Sequence, residues 1–447
     1  MTRLKGKQIL SLSLMLFAIF FGAGNMIFPP AMGQQAGENF ISGLLGFLLT
    51  DAGIALLGII AIVFVGSTMD DLGKLVNKKF AVCLSVFIYL LIGPLFAEPR
   101  TGSVSFELAV APYVNESNMW IASLIFTGIF FLLTYYLSSN PKKVVDVVGN
   151  ILTPILLLSI TAIFLKVLFT KSDANSAVIY GTLAQSQGVY KTMPFFQGMI
   201  EGYNALDGPA GLAFAIIVIK ALKDYGISDK KIIAKYTIMS GVGAVCFLTI
   251  VYFMLAYIGA ITETSFANGG ALLHAIATET YGGVGGIILG IAVTLACLTT
   301  SIGLTTSFSD YFIKLFPKLT YKQIAGIVCL FSFVISNVGL TKLVSVSLPI
   351  LKIIYPVTVA LIILSFFKNI IKERRMVYIL GLVGTFIISF VNSLNMIDFI
   401  QPLDSFLASF IPFYETGFGW IIPTIIGAII GFLPFLNKKA NVIEAKA

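Results

Sequence analysis

Twelve runs of mostly apolar residues, each near the length a helix needs to cross a bilayer, leave this 447-residue chain little choice of environment. They cover 9–33, 41–66, 81–98, 119–138, 145–169, 195–219, 236–261, 284–313, 323–338, 343–367, 376–396 and 418–436, and the third can continue through Pro99 toward Pro112. Lipid offers no partner to a backbone N–H or C=O, so such runs must satisfy themselves as helices. Hydrophobic residues make up 57% of the chain and charged ones 11%, against about 25% charged in a soluble domain. The sequence predicts an all-α integral membrane protein with about 12 transmembrane helices.

Positive charge supports that count. Of 29 Lys and Arg, 23 fall in the N-terminus (Arg3, Lys5, Lys7), in every second connection (Lys74 to Lys79, Lys142 and Lys143, Lys220 to Lys235, Lys314 to Lys322, Lys368 to Arg375) and in the C-terminus (Lys438, Lys439, Lys446). The positive-inside rule then puts both termini in the cytoplasm of a multi-pass cell-membrane protein. The net charge of +8 is therefore a signature of topology, with no nucleic-acid partner implied. The start, MTRLKGKQILSLSLMLFAIFF, lacks a small-residue cleavage site and is expected to be an uncleaved first span. Cys83, Cys246, Cys297 and Cys329 lie within apolar runs without metal or disulfide spacing and are expected to be packing residues.

Two spans carry residues that a plain membrane helix avoids. FFGAGNMIFPP (20–30) holds Gly22, Gly24, Asn25, Pro29 and Pro30; each proline removes the bond to the carbonyl four residues earlier. PFFQGMIEGYNALDGPAGLAFAII (194–217) sets Gly202, Gly208, Pro209 and Gly211 among Glu201, Asn204 and Asp207. A lone kink of this kind is usually packing. Paired interruptions in the first and sixth spans instead point to the binding site of an inverted-repeat transporter, with 9–169 and 195–367 as two five-helix units of opposite orientation and 376–436 as two additional helices. A half-helix N-terminus presents free N–H groups to an anion, and unwound carbonyls hold a cation. Gly22, Ala23 and Gly24 would thus take the carboxylate of an amino acid, helped by the Asn25 amide, and carbonyls near Tyr203, Asn204 and Gly208 would take its ammonium. Tyr203 is also a candidate for the carboxylate.

In the eighth span, LACLTTSIGLTTSFSDYF (295–312), Ala296, Thr299 and Thr300 share one helical face. Threonines in membrane helices commonly bond their own i−4 carbonyl. Facing the first-span break, their oxygens would suit a small hard cation.

GAGNMIFPP, GPLFAEPRTGSVSFE (93–107), EGYNALDG (201–208) and ACLTTSIGLTT (296–306) resemble the branched-chain amino acid:cation symporters, the BrnQ-like carriers, over essentially the whole chain. The resemblance implies a leucine-transporter-like fold, a five-plus-five inverted repeat with helices one and six unwound. It also implies symport of leucine, isoleucine and valine with sodium. By that resemblance the sodium ligands are the carbonyls of Ala18, Phe21 and Ala296 and the hydroxyls of Thr299 and Thr300, and the substrate carboxylate falls on Gly22, Ala23 and Gly24. Asp207 fits the family pattern. Glu98 stands where that pattern is apolar, and Ala205 and Leu206 stand where it has Thr-Met.

The expected activity is sodium-driven import of branched-chain amino acids by alternating access, with an apolar pocket drawn from Phe17, Phe20, Phe196 and Leu206. A second reading couples transport to protons through Asp207 or Glu201, carboxyls at a depth where proton carriers are found. A third is a non-transporting sensor or channel. No activated nucleophile, phosphate loop or HExxH motif suggests an enzyme. No cofactor is expected besides the coupling ion, and no partner besides substrate and lipid. Arg100 and Glu107 are expected to pair, His274 to lie at the surface in an external connection, and Asp70 and Asp71 to be solvated.

Overall fold

Each of the twelve apolar runs holds helix in the computed structural model, which describes residues 4–139, 153–172, 176–394 and 400–437. Lys142, Lys143, the start of the fifth run and the terminal Arg3, Lys438, Lys439 and Lys446 lie outside the described residues. Among the described residues there is no strand, only an isolated bridge between Tyr180 and Thr262. Seven helical stretches are long and apolar enough to cross a membrane, and the bent pair Pro194–Ala205 and Asp207–Asp224 makes an eighth. Four shorter apolar helices, Gly6–Phe20, Pro154–Phe169, Tyr321–Ser336 and Ile421–Gly431, fall in the first, fifth, ninth and twelfth runs. The third run continues as expected: Lys78–Tyr113 is one stretch, with a π-turn at Leu91–Leu95 around Gly93 and Pro94.

The chain divides into two units, Met1–Leu56 with Tyr89–Val344, and Leu57–Ile88 with Ser345–Ala447. All of the candidate site lies in the first. Apolar burial drives little association inside lipid, so close backbone approach at small residues has to hold that unit together. Gly46 of the second span faces the backbone of Phe195, and Gly198 of the sixth faces that of Gly43, each so closely that a Cβ would overlap it.

Both interrupted spans are broken where the site needs them. In the first, helix Gly6–Phe20 ends, Phe21 (φ −71°, ψ 82°) and Gly22 (φ −118°, ψ −152°) leave helical geometry, and Ala23–Ala36 begins. The glycine end of the motif makes the break, and Pro29 and Pro30 lie inside the second helix, past its first turn. In the sixth span the break falls on Leu206, held in the left-handed region at φ 74°, and the two halves bend by 46°. A branched side chain there costs roughly 1–2 kcal/mol, so the surrounding packing must impose it. The eighth span is the second part of Gly269–Leu315, which turns at Gly282 (φ 66°).

Candidate functional site

The two breaks meet. A Cβ on Gly24 would stand 3.0 Å from the Cα of Ala205, and the Asn25 amide donates to Asp207 Oδ2 over 2.6 Å. Between them lies a buried cavity of ≈ 30 Å³, room for about two waters. A leucine-sized ligand therefore requires the surrounding helices to part.

Its lining comes from four spans. Gly22, Ala23, Gly24 and Asn25 form one wall and Ala205, Leu206 and Asp207 the opposite one. Phe20, Phe214 and Leu304 supply the apolar part, with the Phe20 and Phe214 rings edge to face at 5.1 Å. Arg100 and Thr101 close it from the third span. Gly22 immediately precedes the second half of the broken helix, and its N–H is taken by Asn25 Oδ1 at 3.3 Å. The N–H groups of Ala23 and Gly24, in the first turn, have no carbonyl one turn back within their helix. That wall is therefore suited to an anion.

Arg100 is 1% exposed and donates through Nη1 to the carbonyl of Asn204 over 2.7 Å, with its guanidinium 5.7 Å from the Phe28 ring centre. Asn204 lies in the last turn of Pro194–Ala205, where helical carbonyls lose their partners and a cation is favoured. Arg100 and Glu107 thus take different partners from the pair expected, since Glu107 accepts from the Asn268 amide at 3.3 Å. Glu98, fully buried, accepts from Thr305 over 2.8 Å.

A second constellation adjoins the cavity. Thr299 Oγ1 lies 2.8 Å from the Ala18 carbonyl and 2.7 Å from that of Ala296, and Thr300 Oγ1 lies 3.5 Å from Ala18 O. One hydroxyl proton is divided between two carbonyls, so this all-oxygen group has more acceptor capacity than its donors fill. Such a set fits a small hard cation. Gly22 permits the approach, because a Cβ there would stand 2.7 Å from Thr300 Oγ1. Phe21, which follows the first half-helix, is fully buried, with its ring against those of Phe17 and Tyr252.

Of the residues expected at the substrate site, Gly22, Ala23, Gly24, Asn25 and Asp207 line the cavity, and so do Phe20 and Leu206. Tyr203, Asn204 and Gly208 are not among its lining residues. The Tyr203 carbonyl accepts from the Leu206 N–H at 3.4 Å, that of Asn204 serves Arg100, and Gly208 lies in the first turn of Asp207–Asp224. Phe17 packs away from the cavity on Phe21 and Phe247, and Phe196 packs with Phe195. Glu201 is bonded to Gln197 and Asn204. His274 lies within the helix that begins at Gly269, half-buried with its ring 5.8 Å from that of Tyr113. Sequence reasoning missed Asp51 and Tyr252. Both are fully buried, with Tyr252 donating to Asp51 Oδ2 over 2.6 Å. Asp51, an acid alone in the apolar run 41–66, is the kind of signal that could have been followed; a tyrosine in an apolar span gives none.

A family model described as "Branched-chain amino acid transport protein" matches residues 5–438. The branched-chain amino acid permease BraB of Bacillus subtilis (strain 168) is 44% identical over 446 residues, covering 98% of this chain and 98% of that protein. The branched-chain amino acid permease BrnQ of the same organism is 38% identical over 436 residues, covering 96% and 97%. Among solved structures, Mhp1, a nucleobase-cation-symport-1 family transporter in a closed conformation, aligns with a TM-score of 0.61 at 13% identity, over 95% of this chain and 91% of that one. A Na+-coupled sialic acid symporter in a substrate-bound outward-open state aligns with a TM-score of 0.60 at 14% identity, over 94% and 88%. At such identities the structures speak for the fold alone, which is that of these transporters.

Proposed function

Because the chain belongs to the branched-chain amino acid transport protein family, and is thus a multi-pass transporter of the cell membrane and not an enzyme, we propose that it imports leucine, isoleucine and valine together with sodium by alternating access. The observation that carries the sodium half is the convergence of Thr299 and Thr300 on the Ala18 carbonyl at the first-span break. Sodium held by Ala18, Phe21, Ala296, Thr299 and Thr300 would tie the first span to the eighth. Thr300 also lines the cavity, so ion and substrate would favour the same arrangement of helices. Coupling then follows from differential affinity between states. The substrate carboxylate would lie on the N–H groups of Ala23 and Gly24, its ammonium against Asp207, and its branched side chain among Phe20, Leu206 and Phe214. Spans one to five and six to ten are read as the two inverted repeats, with 376–436 additional to them.

Uptake of labelled leucine into liposomes carrying the purified protein tests this reading. An imposed inward sodium gradient should drive accumulation, and isoleucine and valine should compete where lysine, glutamate and glycine do not. Equal competition by all five would refute the substrate class.

A further inference from the structure

We propose that Asp51 and Asp207 share one proton across Tyr252, so that the buried pair carries a single negative charge and presents it to the substrate ammonium. The second half of this statement rests on the reading of the cavity as an amino acid site; the first half does not.

Asp51 lies in a π-turn of the second span, Leu49–Gly53, a local widening that carries its side chain into the protein with no exposed surface. Its Oδ2 accepts from the Tyr252 hydroxyl at 2.6 Å, and the same hydroxyl stands 3.4 Å from Asp207 Oδ2. Since both contacts share one hydroxyl, the two carboxyl groups lie within about 6 Å, the range in which like charges disfavour each other's ionisation. Asn25 donates both to Asp207 Oδ2 and to Tyr252.

Neither acid forms an ion pair among the described residues. Charged and titratable groups stand on each neighbouring element. The first span contributes Asn25, which is neutral, and the seventh contributes Tyr252. The first half of the sixth contributes Glu201, bonded to Gln197 and Asn204, and the third contributes Arg100, which donates to the Asn204 carbonyl, and Glu98, which accepts from Thr305. Two full charges so close together in a buried site are not sustainable, and a proton is the smallest remedy. Besides Tyr252, the backbone N–H of Asp207 faces the Asp51 carboxyl. Both are neutral donors, so they leave two charges uncancelled where a single proton removes one.

The bridge between the two acids is closed by direct hydrogen bonds through Tyr252 and Asn25. Paired carboxyls that hold one proton between them titrate as a unit. The singly protonated pair keeps one negative charge beside the cavity through Asp207, which lines it, while Asp51 does not. A second proton, taken up in acid, would cancel that charge and with it the attraction for an ammonium.

Infrared difference spectroscopy of the purified full-length protein at neutral pH, without ligand, reads the proton directly. The wild-type-minus-Asp51→Asn spectrum should contain a protonated carboxyl C=O band that shifts in D2O. Tyr252→Phe leaves both acids in place and should retain the band at a changed frequency, which guards against a folding defect in Asp51→Asn. Loss of the band in Tyr252→Phe, or its absence from the wild-type-minus-Asp51→Asn spectrum, would overturn the shared proton whether or not leucine is the substrate. Leucine binding is measured separately. Asp207→Asn should weaken it at least tenfold, and wild-type affinity should fall with acidity by one proton per site. A band present with unchanged leucine affinity in Asp207→Asn would leave the proton standing and refute its link to the ammonium.

Discussion

Thr299 places its hydroxyl 2.8 Å from the carbonyl of Ala18, joining residues 281 positions apart in the chain. The contact exists because the first span stops being a helix at Phe21 and Gly22, which leaves carbonyls of its last turn without the N–H groups a continuous helix would bring. A threonine on an unbroken neighbouring helix then has something to reach. The apolar runs determine that the chain spans a membrane, and this interruption determines where anything polar can be held inside it.

Gly22 is the most sensitive position in that arrangement. A Cβ there would stand 2.7 Å from Thr300 Oγ1 and 2.8 Å from its Cγ2, so Gly22→Ala must push the first and eighth spans apart. Overpacking of this kind costs about 1–3 kcal/mol. Leucine uptake should fall to under about a tenth, with a lowered melting temperature in detergent. Gly6→Ala, where a Cβ would meet nothing within 4 Å, should leave both unchanged.

Arg100 is expected to act by fixing the sixth-span break. Arg100→Gln keeps a donor but gives up the charge at the end of a half-helix and the contact over Phe28. A charge-assisted hydrogen bond contributes about 1.5–3 kcal/mol, so a loss of roughly tenfold or more in leucine affinity is expected. Binding measured on purified protein checks this. Glu107→Gln, which alters the Asn268 contact instead, should affect leucine affinity far less.

Much of this was legible because lipid narrows the options. Twelve runs predicted helices, and each holds helix; two glycine-rich interruptions predicted broken helices, and both are broken. The position of each break was less legible. Prolines appear the obvious breakers in FFGAGNMIFPP, yet Pro29 and Pro30 are tolerated inside the second half-helix. In the sixth span the interruption falls on Leu206, a residue no propensity would choose, because tertiary packing overrides local preference there. Asp51 and Tyr252 were missed for a related reason: what pairs them is contact between spans two, six and seven, and no spacing within one span encodes it.

In the second unit, Asp71 offers a prediction about pH. Burial pushes its carboxyl upward, but Lys74 at 3.0 Å, the Thr68 hydroxyl at 2.8 Å and the Ser67 N–H at 3.1 Å outweigh it and hold the group below its ordinary 3.8. A folded-state value below the unfolded one means the stabilisation is full well above 3.8 and is lost as pH falls through the folded value. Both side chains are solvent-accessible, so the contribution is under about 1 kcal/mol and declines with salt. Hydrogen exchange at Ser67 should be faster in Asp71→Asn than in wild type at neutral pH, and the difference should vanish in acid. A difference that persists there would contradict the assignment.

The central claim is that sodium acts where Thr299 and Thr300 meet the first-span break. It is tested most directly by titrating sodium against leucine uptake in proteoliposomes, with the pH gradient held at zero, for wild type and the Thr299→Ala/Thr300→Ala double variant. The account predicts saturable sodium activation in wild type and a requirement raised at least tenfold in the double variant. Equal sodium activation in the two proteins, or full uptake by wild type without sodium, would contradict it.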